Sequence, residues 1–162
     1  MKITAIKTFV VDGGFRPWTF VKIETSEPGL IGWGACTDCG SPGPVATVER
    51  YAEWVIGRDP MQAEAIWWDL TAASMRHVGG IAWKAMAGID SALWDIRGKA
   101  LGAPVWQLLG GKLRDELRLY WSHCGTVRAR WAERLGLPPV ATTDDLKRLA
   151  EEVLERGYTA IK

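Results

Sequence analysis

Cys36-Thr-Asp-Cys39 is the first spacing in the chain that could do chemistry, as half of a zinc site or as a redox dithiol. Zinc needs four ligands, and only Cys124 and two isolated histidines remain to complete the set. A redox pair opens a helix directly after a strand, whereas Gly40-Ser-Pro42 makes a loop here, so neither use is expected. Asp90 stands in an otherwise apolar helical pattern, where a carboxylate looks catalytic, as a general acid–base, or serves as a buried hydrogen-bond acceptor. Ser122, His123 and Lys162 fall at the ends of strand-like segments, and a strand-terminal lysine alone reads as a solvated residue. The chain has no phosphate-binding glycine loop, no Gly-x-Ser-x-Gly and no His-Glu-x-x-His.

Composition narrows the classes. In 162 residues, 48% are hydrophobic and 24% charged, the balance of a folded globular chain near one domain in length. The net charge of +1 leaves no basic footprint for nucleic acid or an anionic membrane surface, so neither partner is expected. Three cysteines are too few for a disulfide-stapled scaffold, and the absence of asparagine removes any N-glycosylation acceptor. No apolar run approaches the ~18 residues of a membrane span, and the expected location is the cytoplasm. Ten tryptophans demand large apolar surfaces to cover, as packing or interface residues.

The elements that must position these residues follow from periodicity. Apolar alternation at 2–11, 18–25 and 30–35 predicts three strands in an antiparallel meander, with one slip near Ile6. The connections at 12–17 and 36–44 are rich in Gly and Pro and long enough to bind a ligand. Helices are predicted from Pro44, from Asp59-Pro60 with Asp59 as cap, over Ile81–Leu101, and briefly after Pro104. In the long helix Ile81, Ala85, Ile89, Leu93, Ile96 and Ala100 form the apolar stripe, and Asp95 and Lys99 pair four apart. A strand over 117–122, an irregular excursion over 124–141, a capped helix from Thr142 to Gly157 and a strand over 158–162 then read as one parallel βαβ unit. Two parallel strands cannot cover both of their faces, so these residues are expected to be the N-terminal portion of a longer chain.

The stretch from Met86 to Tyr120, with Asp90-Ser-Ala-Leu-Trp-Asp-Ile-Arg-Gly-Lys99 at its centre, closely resembles the mandelate racemase/muconate lactonizing enzyme family of the enolase superfamily. Gly32-Trp-Gly34, Gly57-Arg-Asp-Pro60 and Gly157-Tyr-Thr-Ala-Ile-Lys162 support the likeness. The resemblance implies an α+β capping domain, a three-stranded antiparallel meander followed by helices over 1–112. This leads into the start of a modified TIM (β/α) barrel over 113–162, the chain ending in barrel strand two. It implies abstraction of the proton α to a carboxylate with Mg²⁺ stabilising the enediolate, the metal ligands lying beyond residue 162 and none in this chain. An acid-sugar dehydratase is the first expectation, and a racemase or cycloisomerase of a carboxylic acid the alternative. A stand-alone, non-catalytic capping or assembly module is the reading of a different class. A homo-oligomer is expected when full length, and the 162 residues alone are expected to be inactive.

The same resemblance assigns roles. Lys162 matches the first lysine of a Lys-x-Lys pair, whose second member is often the base and whose first lowers that base's pKa by like charge. Ser122 and His123 would face the site from the end of barrel strand one. Phe15, Arg16 and Trp18 lie in the first specificity loop, Arg16 pairing with a carboxylate. The second specificity loop offers Asp38, although Ala35 stands where relatives often carry Glu. Asp90 falls to a structural role in the capping domain.

Overall fold

Three strands precede the first helix along the chain. The computed structural model describes residues 1–37, 41–75 and 79–162, which separate into two units, Met1–Lys112 and Leu113–Lys162. In the first, β1 (Ile3–Asp12), β2 (Pro17–Thr25) and β3 (Ile31–Ala35) pair antiparallel in that order. Register runs through Ile6–Ile23, Asp12–Pro17 and Phe20–Ala35, and the slip in alternation appears as a shift between Ile3 and Ala5. The β2–β3 turn closes through the Leu30 amide on the Glu27 carbonyl, with Gly29 supplying φ 78°.

Four helices follow in this unit: α1 (Gly43–Val55), α2 (Ala63–Ser74), α3 (Gly80–Leu101) and α4 (Val105–Leu108). One expectation is corrected. Asp59 does not cap α2; its carboxylate accepts the Met61 amide at 3.0 Å in a turn, and the helix begins at Ala63 because Pro60 and Met61 complete that turn first. Helix α3 ends at Gly102 in the left-handed region, with the Ala103 amide on the Gly98 carbonyl at 2.9 Å. Ala85, Ile89, Leu93 and Ile96 are buried, while Ile81 and Ala100 at the stripe's ends are exposed. Burying each large side chain contributes about 1.5–3 kcal/mol.

Helix α3 lies unusually close to β3. A Cβ on Gly32 would sit 2.1 Å from the Ala92 carbonyl oxygen, and one on Gly34 2.0 Å from that of Gly88. The contact is fastened by polar groups: the Trp33 amide donates to Asp95 at 2.9 Å, and Lys99 donates to Asp95 at 2.6 Å and to the Ile31 carbonyl at 2.9 Å.

The second unit departs from expectation twice. Residues 124–141 are not an irregular excursion: α5 (Cys124–Leu135) occupies most of them, closed by Gly136 at φ 62°. The helix forms because Cys124 and Arg128 share a buried face, the latter neutralised by a carboxylate on α6 (Thr143–Glu155). The strands expected at 117–122 and 158–162 reduce to one parallel bridge, Trp121 to Ile161. No third strand in this unit lies beside the pair among the described residues, and Leu117, Leu119 and Ile161 stay exposed, so little drives the ladder further.

The glycine contact yields a paired prediction. Gly34→Ala should destabilise the first unit by about 3 kcal/mol, because backbone must move to admit the methyl group. Gly80→Ala, with open space around its Cβ, should be neutral or stabilising by up to about 1 kcal/mol. Denaturant unfolding followed by tryptophan fluorescence compares the two, and equal effects would refute the close-approach account.

Candidate active site

In the loop joining β1 to β2, backbone bonds fix the side chains. The Gly14 amide donates to Asp12 Oδ1 at 2.9 Å, the Phe15 amide to the Gly13 carbonyl at 3.2 Å, and the Gly13 amide to the Arg16 carbonyl at 3.0 Å. Gly13 is required sterically: a Cβ there would fall 2.0 Å from Trp18 Cδ1 and Nε1. The indole therefore lies against bare backbone. The Arg16 guanidinium sits 4.6 Å from the Trp18 ring and 5.2 Å from the Phe15 ring, an arrangement worth about 0.5–2 kcal/mol per pair. Arg16 Nε is buried and has no hydrogen-bond partner among the described residues. Phe15, Arg16 and Trp18 are thus one cluster, able to present a planar cation to a carboxylate.

The base of this loop is tied to β3. The Cys36 amide donates to the Thr19 carbonyl at 2.9 Å, and the Thr19 amide to Thr37 Oγ1 at 3.1 Å. Asp38 and Cys39 lie outside the described residues. Cys36 is buried, and desolvation pushes its thiol pKa up, the opposite of an activated nucleophile.

Asp90 is half-buried on α3. Desolvation, then the nearby Glu64, raise its pKa, while Arg97 and a hydrogen bond from the Trp94 indole oppose the rise. The bond one helical turn along gives it a partner within its own helix. Several tryptophans of this unit pack on one another or on cations: Trp67 on Trp83 at 6.2 Å, Arg97 over Trp94 at 4.1 Å and Lys112 over Trp106 at 5.2 Å. Trp68 is largely exposed.

In the second unit the parallel bridge brings Ser122, His123 and Lys162 together. The Trp121 amide donates to Ala160 O at 3.0 Å, the Lys162 amide to Trp121 O at 3.2 Å, and the His123 amide to Lys162 O at 3.2 Å. All three side chains are exposed at the carboxyl ends of their segments. His123 has φ 61° and ψ 14°, the single left-handed non-glycine among the described residues, and its carbonyl starts α5 by accepting the Val127 amide at 2.9 Å.

Trp121 anchors this bridge. It stacks on Tyr158 at 5.4 Å, under the guanidinium groups of Arg128 at 5.4 Å and Arg156 at 4.9 Å. Arg128, 5% exposed, forks onto both Glu152 oxygens at 2.6 and 2.9 Å, and Arg156 adds a third contact at 2.7 Å. The Arg128 hydrogen bond holds the Glu152 carboxyl below its ordinary range. This anchor was missed in the sequence; an arginine in a stretch read as loop carried no signal of burial.

Among the described residues, no group of three or more His, Cys, Asp or Glu could hold a metal ion, and no helix is long and apolar enough to cross a membrane.

Residues 6–110 match the profile of the mandelate racemase/muconate lactonizing enzyme N-terminal domain. A D-galactonate dehydratase of Pectobacterium atrosepticum is 46% identical over 121 residues, covering 74% of this chain and 31% of that protein. The D-galactonate dehydratase of Variovorax paradoxus is 40% identical over 152 residues, covering 93% and 36%. Among solved structures, a Burkholderia xenovorans protein assigned as an L-alanine-DL-glutamate epimerase, bound to magnesium and fumarate, superposes with TM-score 0.89 at 36% identity. It covers 99% of this chain and 40% of its own. An enolase from Pantoea ananatis with bound D-gluconate and magnesium gives 0.80 at 34% identity, covering 98% and 35%. The chain therefore spans about a third to two-fifths of the length of these relatives.

Acid pH should loosen α6 at its start. Asp145 accepts the Ala141 amide and the hydroxyl and amide of Thr142, which lower its pKa from 3.8 to about 2. A depressed carboxylate stabilises the fold above its unfolded value, and that contribution is lost as pH falls through about 2. Carboxyl NMR titration should find Asp145 ionised after ordinary aspartates have protonated; titration near 3.8 would contradict the capping box.

Proposed function

The chain belongs to the mandelate racemase/muconate lactonizing enzyme family, and from that membership we propose that its enzyme dehydrates an acid sugar. A base removes the proton α to the carboxylate, the β-hydroxyl leaves as water with a proton from a general acid, and the resulting enol tautomerises to a 2-oxo-3-deoxy acid. The observation that carries this reading is the Trp121–Ile161 bridge, which sets Lys162 beside Ser122-His123 at the carboxyl ends of two parallel segments. The dehydratase relatives support the choice of reaction.

In this reading Lys162 acts in catalysis as a cation that draws the substrate carboxylate and, by like charge, lowers the pKa of a neighbouring amine so that it stays neutral and able to accept a proton. Ser122 and His123 offer polar contacts to substrate hydroxyls. Arg16, beside the rings of Phe15 and Trp18, offers its guanidinium N–H groups to a carboxylate or polyol oxygen, and Asp38 is the matching candidate from the second loop. Magnesium is proposed as cofactor because relatives are described with it, but the described residues gather no site for it and no step is derived through it. A homo-oligomer in the cytoplasm completes the proposal.

A second reading is favoured by the epimerase-assigned neighbour: proton removal and return at one carbon, with no hydroxyl lost. One experiment separates the two. The complete enzyme, incubated with D-galactonate or D-gluconate and Mg²⁺ in D₂O, should yield a 2-oxo-3-deoxy acid. Exchange of the α-proton in a carboxylic acid without dehydration would favour the epimerase, and neither outcome would favour a non-catalytic module. Lys162→Met should lower kcat about 100-fold or more. Arg16→Ala should raise KM about tenfold with kcat little changed; a lost kcat with KM unmoved would overturn its binding role.

A further inference from the structure

Thr126 lies in the first turn of α5, with its hydroxyl beside the ring it follows. Thr126 Oγ1 is 3.4 Å from the His123 carbonyl oxygen and 3.3 Å from His123 Nδ1. A hydroxyl carries one proton but two lone pairs. The carbonyl can only accept, so the arrangement that makes both bonds sends the threonine proton to the carbonyl and leaves its oxygen to accept from the ring. Nδ1 must then bear the hydrogen.

The backbone keeps the ring in reach. His123 is held in the left-handed region by its amide on Lys162 O at 3.2 Å and by its carbonyl under the Val127 amide at 2.9 Å. A residue fixed at both ends in a sparsely populated conformation cannot swing its Cβ away from the turn without breaking the bridge or the helix start.

We infer that Thr126 is a positioning residue that sets His123 as the Nδ1–H tautomer. Nε2 is then the ring nitrogen that accepts: it takes a hydrogen bond, or a proton, from a hydroxyl of a polyhydroxy acid. This rests on the reading that His123 contacts substrate, but the tautomer itself does not. No signal for it lay in the sequence, because residue 126 was read as loop.

The chain has two histidines, so His77→Ala leaves His123 as the single imidazole. Its ¹⁵N spectrum at about pH 8, where an ordinary imidazole is neutral, should show a hydrogen-bearing Nδ1 and an acceptor-type Nε2. Thr126→Val should shift the ring toward Nε2–H, and Thr126→Ser should restore Nδ1–H. An Nε2–H ring in the His77→Ala protein, or an unchanged tautomer in a Thr126→Val variant with the parent backbone amide spectrum, would overturn the inference. Should Thr126→Val fail to fold, the parent and Thr126→Ser spectra decide alone. The measurement reads no activity, so a failed dehydratase reading would leave it intact, and a wrong tautomer would leave the dehydratase assay standing.

Discussion

Between β3 and α3 the strand backbone rests on the helix backbone, and the first unit is built around that approach. Neither Gly32 nor Gly34 can carry a side chain, because the carbonyl oxygens of Ala92 and Gly88 occupy the space. Gly88 is tight in turn, its missing Cβ facing Cys36 and Val21 at 3.0 Å. Two backbones this close would strand polar groups, so Asp95 takes the Trp33 amide and Lys99 takes the Ile31 carbonyl. The ion pair is half-exposed and contributes little as charge; its value is to satisfy an edge strand while fixing the helix in register.

From that contact the position of the β1–β2 loop follows. Helix α3 fixes β3, β3 pairs with β2 through Phe20 and Ala35, and the Thr19–Cys36 bonds join the feet of the two loops. The cluster of Phe15, Arg16 and Trp18 ends at the residue just before that joint, over a glycine that has no room for a methyl group. The second unit reaches the same end by a different route. Its apolar core is small, Cys124, Leu149 and Val153, with Trp121, Val140 and Tyr158 against it. A buried Arg128 forked onto Glu152 takes the place of more hydrocarbon. Such a pair adds less to stability than it costs to break, since removing Glu152 would leave the buried Arg128 guanidinium without its carboxylate. What it contributes is orientation: it presses on Trp121, the residue that begins the bridge.

Legibility in the sequence divides along the same lines. The three strands and α3 could be read because each keeps its period, with one slip in β1, and stops at glycine or a turn. Helix α5 could not: no side chain caps its start, His123 opens it from a left-handed conformation, and its buried face carries an arginine. The strands at 117–122 and 158–162 were overread, because alternation reports a face that could be buried and not whether a neighbour covers it. Arg16 was legible as a residue type in a loop, whereas its aromatic clamp depends on Gly13, a backbone requirement that spacing does not reveal. Lys162 and His123 drew notice through family resemblance, and Thr126 through nothing at all. Asp38 and Cys39 lie outside the described residues.

Both clusters sit where a ladder of backbone bonds runs out, and this has a physical cause. Inside a ladder each amide and carbonyl is committed and each side chain is packed by its neighbours. Past the last rung the chain must turn, and the side chain at that point loses neighbours on one side. At the β1–β2 connection the turn uses glycines, which leaves Arg16 beside the Phe15 and Trp18 rings. At the end of the parallel bridge the last rung is the His123 amide on Lys162 O, and there no glycine is used. A glycine at 123 would relax the backbone in the left-handed region and remove the imidazole with it. Keeping a histidine there costs conformational energy that the bridge, the start of α5 and the Trp121 anchor together must offset. The strain and the exposed side chain arise from the same residue, so the position that is hardest to hold in the second unit is also the one proposed to contact substrate.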